Sequence, residues 1–219
     1  MMQMPGDIPQ PSIRRLSIYL RRLESLETRT VATVSSQELG ESLSLTGAQV
    51  RKDLAYFGQF GKPGIGYEVG PLIHRLRRVL GTDQVSHALL VGVGNLGKAL
   101  SEYPGFQPKG FQLVALFDSD RKKIGQRVGS LTIEPMEDLD RVVLERGVRL
   151  GLVAVPVGAA QGVVDHLARA GIRGVLNFAP VQITSPVGVV VHNIDVAAEL
   201  EQLNFLTGQS GAAKGTLMK

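Results

Sequence analysis

The sequence predicts an α/β protein of two modules, a small helical one followed by a parallel sheet flanked by helices. Three observations carry this reading. Two capped helix starts follow each other closely, at Ser35 and Thr46. A glycine-rich stretch then breaks the helical pattern between Phe57 and Tyr67. From His87 onward short apolar runs alternate with helical segments, which is the pattern of a parallel sheet.

Residues 1–11 (MMQMPGDIPQP) read as a mobile leader, polar and proline-broken, unlike the charged-then-apolar pattern of a secretory signal. From Ser12 to about Glu27, Ile13, Leu16, Leu20, Leu23 and Leu26 fall at helical steps, with Arg14, Arg15, Arg21 and Arg22 elsewhere around the helix. Ser35 and Glu38 have capping-box spacing and open a short helix to about Leu43. Thr46 to Gln49 repeats the device and opens a second helix to about Phe57. Only Ser44-Leu45 lies between the two helices, so the pair forms a helix-turn-helix candidate.

In the second helix Val50, Leu54 and Phe57 make one buried stripe, which displaces Gln49, Arg51, Lys52 and Tyr56 to the other faces. Those donors and charges stand where a recognition helix enters the major groove. Phe57–Tyr67 holds four glycines and a proline, which forbids a helix and fits a β-hairpin, or wing, with Lys62 near its tip. Expected DNA contacts follow from these placements. Gln49, Arg51 and Lys52 face base edges and phosphates; Lys62 and Tyr67 touch the backbone or minor groove; Arg14 and Arg15 add phosphate contacts. Ser44, Thr46 and Tyr56 flank them at the helix ends. The alternative is a small helical domain that ends in a glycine-rich linker and never touches DNA.

The charge distribution favours the first reading. Residues 1–80 hold 11 Lys and Arg against 7 Asp and Glu, whereas residues 81–219 hold 13 of each, so the whole net charge of +4 belongs to the first module. A basic module joined to a neutral one fits a polyanionic partner for the first and a different ligand for the second. A linking helix over Pro71–Leu80 connects the two, placing the expected winged-helix module at residues 12–80.

The second module, residues 81–194, opens with the strand His87–Gly92, which runs directly into Gly92-Val93-Gly94-Asn95-Leu96-Gly97 and the helical segment Lys98–Tyr103. In such a fingerprint the first glycine allows the tight turn, the second leaves room for a pyrophosphate, and the third lets helix and strand pack closely. The helix N-terminus offers free N–H groups and a positive dipole end to phosphates. The next strand, Phe111–Phe117, ends on Asp118, at the spacing of an acid that binds the adenine ribose hydroxyls. Asp118 favours NAD(H) over NADP(H) by repelling a 2′-phosphate, while Arg121, Lys122 and Lys123 are the kind of group that accommodates one. Met136–Arg146 is helical, Gly151–Val155 a strand, and Ala159–Ala170 a helix closed by Gly171; Ile172–Leu176 and Val187–His192 are further strands. Together these predict a Rossmann domain, whose strand-end loops bring Val155, Pro156, Asn177, Phe178 and Ala179 toward the nicotinamide, with Ile124 as a further cofactor contact. Asp195 starts a last helix through Leu206, and residues 207–219 read as a flexible tail.

Composition excludes much else. The chain has no cysteine, which removes disulfides, thiolate metal sites and a cysteine nucleophile. Its four histidines show no ligand spacing, so no metal is expected. No apolar run reaches the roughly 18 to 20 residues of a membrane span, and the expectation is a soluble, cytoplasmic protein.

The stretches Ser36–Gly40, Gln49–Leu54 and Phe57–Gly61 resemble the DNA-binding half of the Rex redox-sensing repressors. Val91–Gly97, Phe117–Asp120, Ala160-Gln161, Gly171–Gly174 and Asn177–Pro180 resemble the Rossmann half of the same family, and the likeness covers residues 12–206. The resemblance implies a homodimer on palindromic operator DNA, with the C-terminal helix, residues 195–206, domain-swapped between subunits. It implies that NADH releases the operator whereas NAD+ is compatible with DNA binding. Tyr103 and Asp195 match positions that couple the nicotinamide pocket across subunits, and Asn95 stands where some members carry arginine.

Three rivals remain at this stage. An NAD-dependent oxidoreductase needs a proton donor at the nicotinamide, but Tyr103 lacks a lysine four residues on, His192 is the one histidine near the strand ends, and no substrate domain follows the sheet. A regulator bound to coenzyme A would set a 3′-phosphorylated ribose against Asp118. A nonspecific helical adaptor would bind DNA without an operator preference.

Overall fold

The computed structural model describes residues 8–61 and 64–212, with side chains described through residue 208. The chain divides into two compact units, residues 1–84 and 85–219. In the first, α1 (Gln10–Glu27) buries Leu16, Tyr19, Leu20 and Leu23 in one core with Leu72, Ile73 and Leu76 of α4 (Val69–Leu80). Between them in sequence come β1 (Thr33–Val34), α2 (Ser36–Glu41), α3 (Gly47–Ala55) and β2 (Tyr67–Glu68). The capping box at α2 is complete: Ser35 Oγ accepts the Glu38 N–H and Glu38 accepts the Ser35 N–H. At α3 only half of the device forms. Thr46 Oγ1 accepts the Gln49 N–H at 3.1 Å, but the Gln49 side chain turns away to Asp53.

The α2–α3 corner is tight because two of its residues lack side chains. A Cβ on Gly40 would stand 2.8 Å from the Leu45 carbonyl oxygen, and one on Gly47 3.1 Å from the Gln37 backbone. Among the described residues of 57–67 no strand precedes Tyr67, and the tip of the expected hairpin, residues 62 and 63, lies outside the described residues. The segment turns at Gly58, Gly61, Gly64 and Gly66, which all have positive φ, a backbone region that glycine adopts readily. Its return strand β2 pairs antiparallel with β1 instead, with Thr33 opposite Glu68 and Val34 opposite Tyr67. Lys62, expected near the tip, lies outside the described residues.

One buried charge ties the helices of this unit together. Asp53 of α3 is fully buried, and its carboxylate accepts Arg15 Nη2 (2.7 Å), Arg15 Nε, the Tyr19 hydroxyl (2.7 Å) and Gln49 Nε2 (2.9 Å). Burial pushes its pKa up, but the donors from Arg15, Tyr19, Ser12 and Gln49 outweigh burial and hold it at about 2.

In the second unit, seven strands lie in the order β5-β6-β4-β3-β7-β8-β9. They are β3 (Ser86–Val91), β4 (Phe111–Asp118), β5 (Arg127–Val128), β6 (Leu131–Pro135), β7 (Leu150–Val153), β8 (Gly174–Asn177) and β9 (Val190–Asn193). All neighbours are parallel except the β5–β6 hairpin at one edge. Without that edge strand, the order is that of a Rossmann sheet with its switch point between β3 and β7. The helices are α5 (Asn95–Ser101), α6 (Leu139–Glu145), α7 (Val157–Ala170) and α8 (Val196–Ala212). One sheet face carries a core of Leu89, Val91 and Phe117 with Val142 of α6 and Val164 and Leu167 of α7. The other packs Leu90, Leu116 and Ile133 with Leu100 of α5. Toward β7, β8 and β9 this second face opens into a groove of about 330 Å³ lined by Leu113, Leu150, Leu176, Val190 and His192.

Two elements differ from the sequence reading. The β5–β6 hairpin was not anticipated, although Gly129-Ser130, with Gly129 at φ 57°, is a two-residue hairpin turn. Helix α8 extends to Ala212, past the expected end at Leu206 and through Gly208 and Gly211; residues 213–219 lie outside the described residues. No helix among the described residues is long and apolar enough to cross a membrane.

The Asp53 pKa gives the first unit a predictable acid limb. A carboxylate whose folded pKa lies below its unfolded value of 3.8 stabilises the fold above about pH 4, and that stability is lost as pH falls toward 2. Urea midpoints followed from pH 5 to pH 2 are expected to fall less steeply in Asp53→Asn than in the unaltered protein. Parallel curves would assign the acid limb to other carboxylates.

Candidate dinucleotide and nucleic-acid sites

The glycine loop leaves β3 at Gly92, whose φ of 94° and close approach to the Ala154 carbonyl oxygen exclude any side chain. Gly94 caps α5 and has open space where a Cβ would stand, as a site for a pyrophosphate requires. Gly97 is buried, and a Cβ on it would collide with the Gly92 carbonyl oxygen, so this glycine sets how closely α5 approaches β3. Asn95 and Leu96 form the exposed first turn of α5. The Val93 side chain is buried, and its N–H donates to Asp118 Oδ2 at 2.8 Å.

Asp118, at the end of β4, also accepts the Asp120 N–H (2.9 Å) and Lys123 Nζ (2.9 Å). Burial raises its pKa, but the Asp120 N–H, the Lys123 ammonium and the Val93 N–H together hold the carboxyl below its ordinary value. Three of its roughly four acceptor positions are thus occupied, leaving one open to a further donor. Lys123 sits in direct ion pairing with the acid, while Ile124 is half-buried in the same turn.

Val155, Pro156, Asn177, Phe178 and Ala179 gather at the same sheet edge, because the loops continue the parallel hydrogen bonding. Gly92 N donates to Phe117 O, Ala154 N to Val91 O, and Phe178 N to Val153 O, at 2.8, 2.9 and 2.8 Å. Val155 is half-buried; Pro156 is exposed and caps α7. Phe178 packs against the core and Ala179 is buried. Asn177 lies in this group but faces its own loop: its amide nitrogen donates to Ala179 O, Val181 O and Asn193 Oδ1, and its oxygen accepts the Ala179 N–H. Its polar atoms are spent on shaping the loop, a use that spacing alone does not reveal. Tyr103 is exposed after α5 and meets Phe106 edge-on at 5.1 Å. Asp195 caps α8 by accepting the N–H groups of Ala197 and Ala198 at 3.0 Å.

On the first unit, Thr46, Lys52 and Tyr56 are exposed along α3 and at its ends, and Ser44 turns at φ 57° between the helices. Arg51 is exposed and donates to Ser36 Oγ at 2.6 Å, which lays it across the helix pair. Arg14 is exposed on α1. Two expectations need correction. The Arg15 guanidinium is committed to buried Asp53, 38 residues away, so it is a brace between helices and not a free phosphate contact. Tyr67 is buried, since pairing of β2 with β1 turns its side chain into the core. Asp53 itself was missed; the signal was an acid set between Val50 and Leu54 of the buried stripe.

A helix-turn-helix unit joined to a Rossmann unit with an open glycine loop defines a two-module transcriptional regulator that responds to a nucleotide ligand. The comparisons agree. Residues 7–55 match the family described as "Putative DNA-binding protein N-terminus", and residues 83–181 match the CoA binding domain family. A redox-sensing transcriptional repressor Rex from Chloroflexus aggregans is 48% identical over 197 residues, covering 90% of this chain and 93% of that one. The crystal structure of RSP in complex with β-NAD+ and operator DNA superposes with a TM-score of 0.87 at 31% identity, covering 96% of this chain and 99% of RSP. RSP in complex with β-NADH gives 0.85 at 30% identity, covering 95% and 98%. The chain belongs to the Rex family of redox-sensing transcriptional repressors.

The packing of Gly97 yields a test. Gly97→Ala must push α5 away from β3, and overpacking of this kind costs about 1–3 kcal/mol. Chemical denaturation is expected to show that loss together with weakened dinucleotide binding; unchanged values for both would mean that the loop yields without cost.

Proposed function

We propose that this repressor binds a palindromic operator as a homodimer through α3 of each subunit and releases it when NADH occupies the Asp118 site. The observation that carries the reading is the pairing, in one chain, of a capped α2–α3 corner with an open Gly94 beneath a ribose-facing acid. Its support from relatives is that RSP was crystallised with β-NAD+ and operator DNA, and separately with β-NADH. The pyrophosphate lies over Gly94 and the N-terminus of α5, the adenine ribose on Asp118, and the nicotinamide toward Val155, Pro156 and Phe178. A neutral dihydronicotinamide enters such apolar surroundings at lower desolvation cost than the cationic ring of NAD+.

The homodimer has physical support in surfaces that a single chain leaves bare. On α8, Val196, Leu200, Leu203, Phe205 and Leu206 are each 56–65% exposed, and the apolar groove over β7–β9 is open. Apolar surface on this scale calls for a partner, and exchange of α8 between subunits covers it. Tyr103 and Asp195 then couple the nicotinamide pocket to the partner. To move the dimer from mostly bound to mostly free, NADH must favour the released state by about 5 kcal/mol over the pair of sites. A cytoplasmic location follows from this role.

The two sites are separable by substitution. Arg51→Ala is expected to weaken operator binding about tenfold while NADH affinity stays unchanged, since a lost phosphate or base contact is worth about 1–3 kcal/mol. Asp118→Ala is expected to do the reverse, lowering NADH affinity and its advantage over NADPH. Loss of both activities in either variant, measured by fluorescence anisotropy and calorimetry, would mean that the altered residue is structural.

A further inference from the structure

We infer that Asp53 determines which bases Gln49 reads: the buried carboxylate holds the Gln49 amide nitrogen inward, so that α3 offers a carbonyl oxygen at this position of the major groove. The inference rests on the reading of α3 as the recognition helix. An ionised carboxylate only accepts hydrogen bonds, so the Gln49 atom 2.9 Å from Asp53 Oδ1 is the nitrogen, and the orientation of the amide is fixed by chemistry. Gln49 is half-buried, one turn before Asp53 and beside the exposed Arg51 and Lys52.

The rest of the network holds the tether rigid. Arg15 grips both carboxylate oxygens and the Tyr19 hydroxyl fills a further acceptor position, so Asp53 has no freedom to swing toward or away from Gln49. A buried ion pair gives little stability that a well-packed apolar residue would not give. One that restrains a residue on the DNA-facing helix gains a use in recognition. In the major groove, adenine N6 and cytosine N4 are donors, whereas guanine O6 and thymine O4 are acceptors. An outward Gln49 oxygen therefore favours adenine or cytosine at the contacted base and disfavours guanine or thymine. Asp53 is thus a positioning residue for specificity, acting through Gln49.

The test is competition binding of the full-length protein to operators in which every base of one half-site is replaced in turn, for the unaltered protein, Gln49→Met, Asp53→Asn, their double variant and Arg51→Ala. One base pair is expected to show a preference of about fivefold for adenine or cytosine, the size of a single hydrogen bond. Gln49→Met and Asp53→Asn should each abolish that preference, leave the preferences at other base pairs in place, and add nothing when combined. An Asp53→Asn protein that keeps the preference lost in Gln49→Met, or that weakens all operators alike, overturns the inference while leaving the recognition helix intact. Unchanged operator binding by Arg51→Ala overturns the recognition-helix reading and the inference with it. Should Asp53→Asn fail to fold, ¹⁵N NMR of the unaltered protein without DNA decides: a downfield, slowly exchanging Gln49 side-chain proton supports the tether, and an unshifted, fast-exchanging pair overturns it.

Discussion

The second unit depends on one close approach, that of α5 to the end of β3, where residues 92 and 97 meet with no side chain between them. That contact aims the N-terminus of α5 at the space over Gly94, and it places the Val93 N–H where Asp118 of the neighbouring strand accepts it. The loop is held from both sides, by backbone packing against β3 and by a carboxylate from β4. A site held in this way is formed before its ligand arrives, so binding energy is not spent on ordering the loop. It is then available to bias one arrangement of the protein over another, which is what a regulator needs and an isolated binding module does not.

The first unit uses a buried acid to a different end. Asp118 accepts three donors and keeps one acceptor position open, whereas the four donors on Asp53 saturate it. The Arg15–Asp53 pair fixes α1 against α3, so the helix that presents Arg51 and Lys52 is a rigid part of its unit. In the homodimer proposed above, rigid presentation would let two recognition helices meet half-sites at a set spacing along DNA.

Much of this was legible in the sequence, and the legible parts share a property: they are local. The Ser35 box, the Thr46 cap, the glycine fingerprint and the acid at the end of the next strand each fall within about one supersecondary unit, where spacing along the chain determines geometry. What was not legible depends on partners far apart in sequence. Arg15 looked like a free cation because Asp53 lies 38 residues away. Tyr67 looked like a wing residue because its strand partner, Val34, precedes the helix pair. Asn177 looked like a ligand contact because its acceptors include Asn193, on the next strand. The apolar residues of α8 fit a helical pattern, but among the described residues they stand more than half exposed.

The central claim is that one dinucleotide redox state, and not mere occupancy, decides whether the operator is held. The most direct measurement is binding of the full-length protein to a fluorescent palindromic operator, titrated separately with NADH, NAD+ and NADPH at fixed salt. Release is expected from NADH at concentrations where NAD+ and NADPH leave the complex intact. Tight operator binding that is indifferent to all three dinucleotides would contradict it.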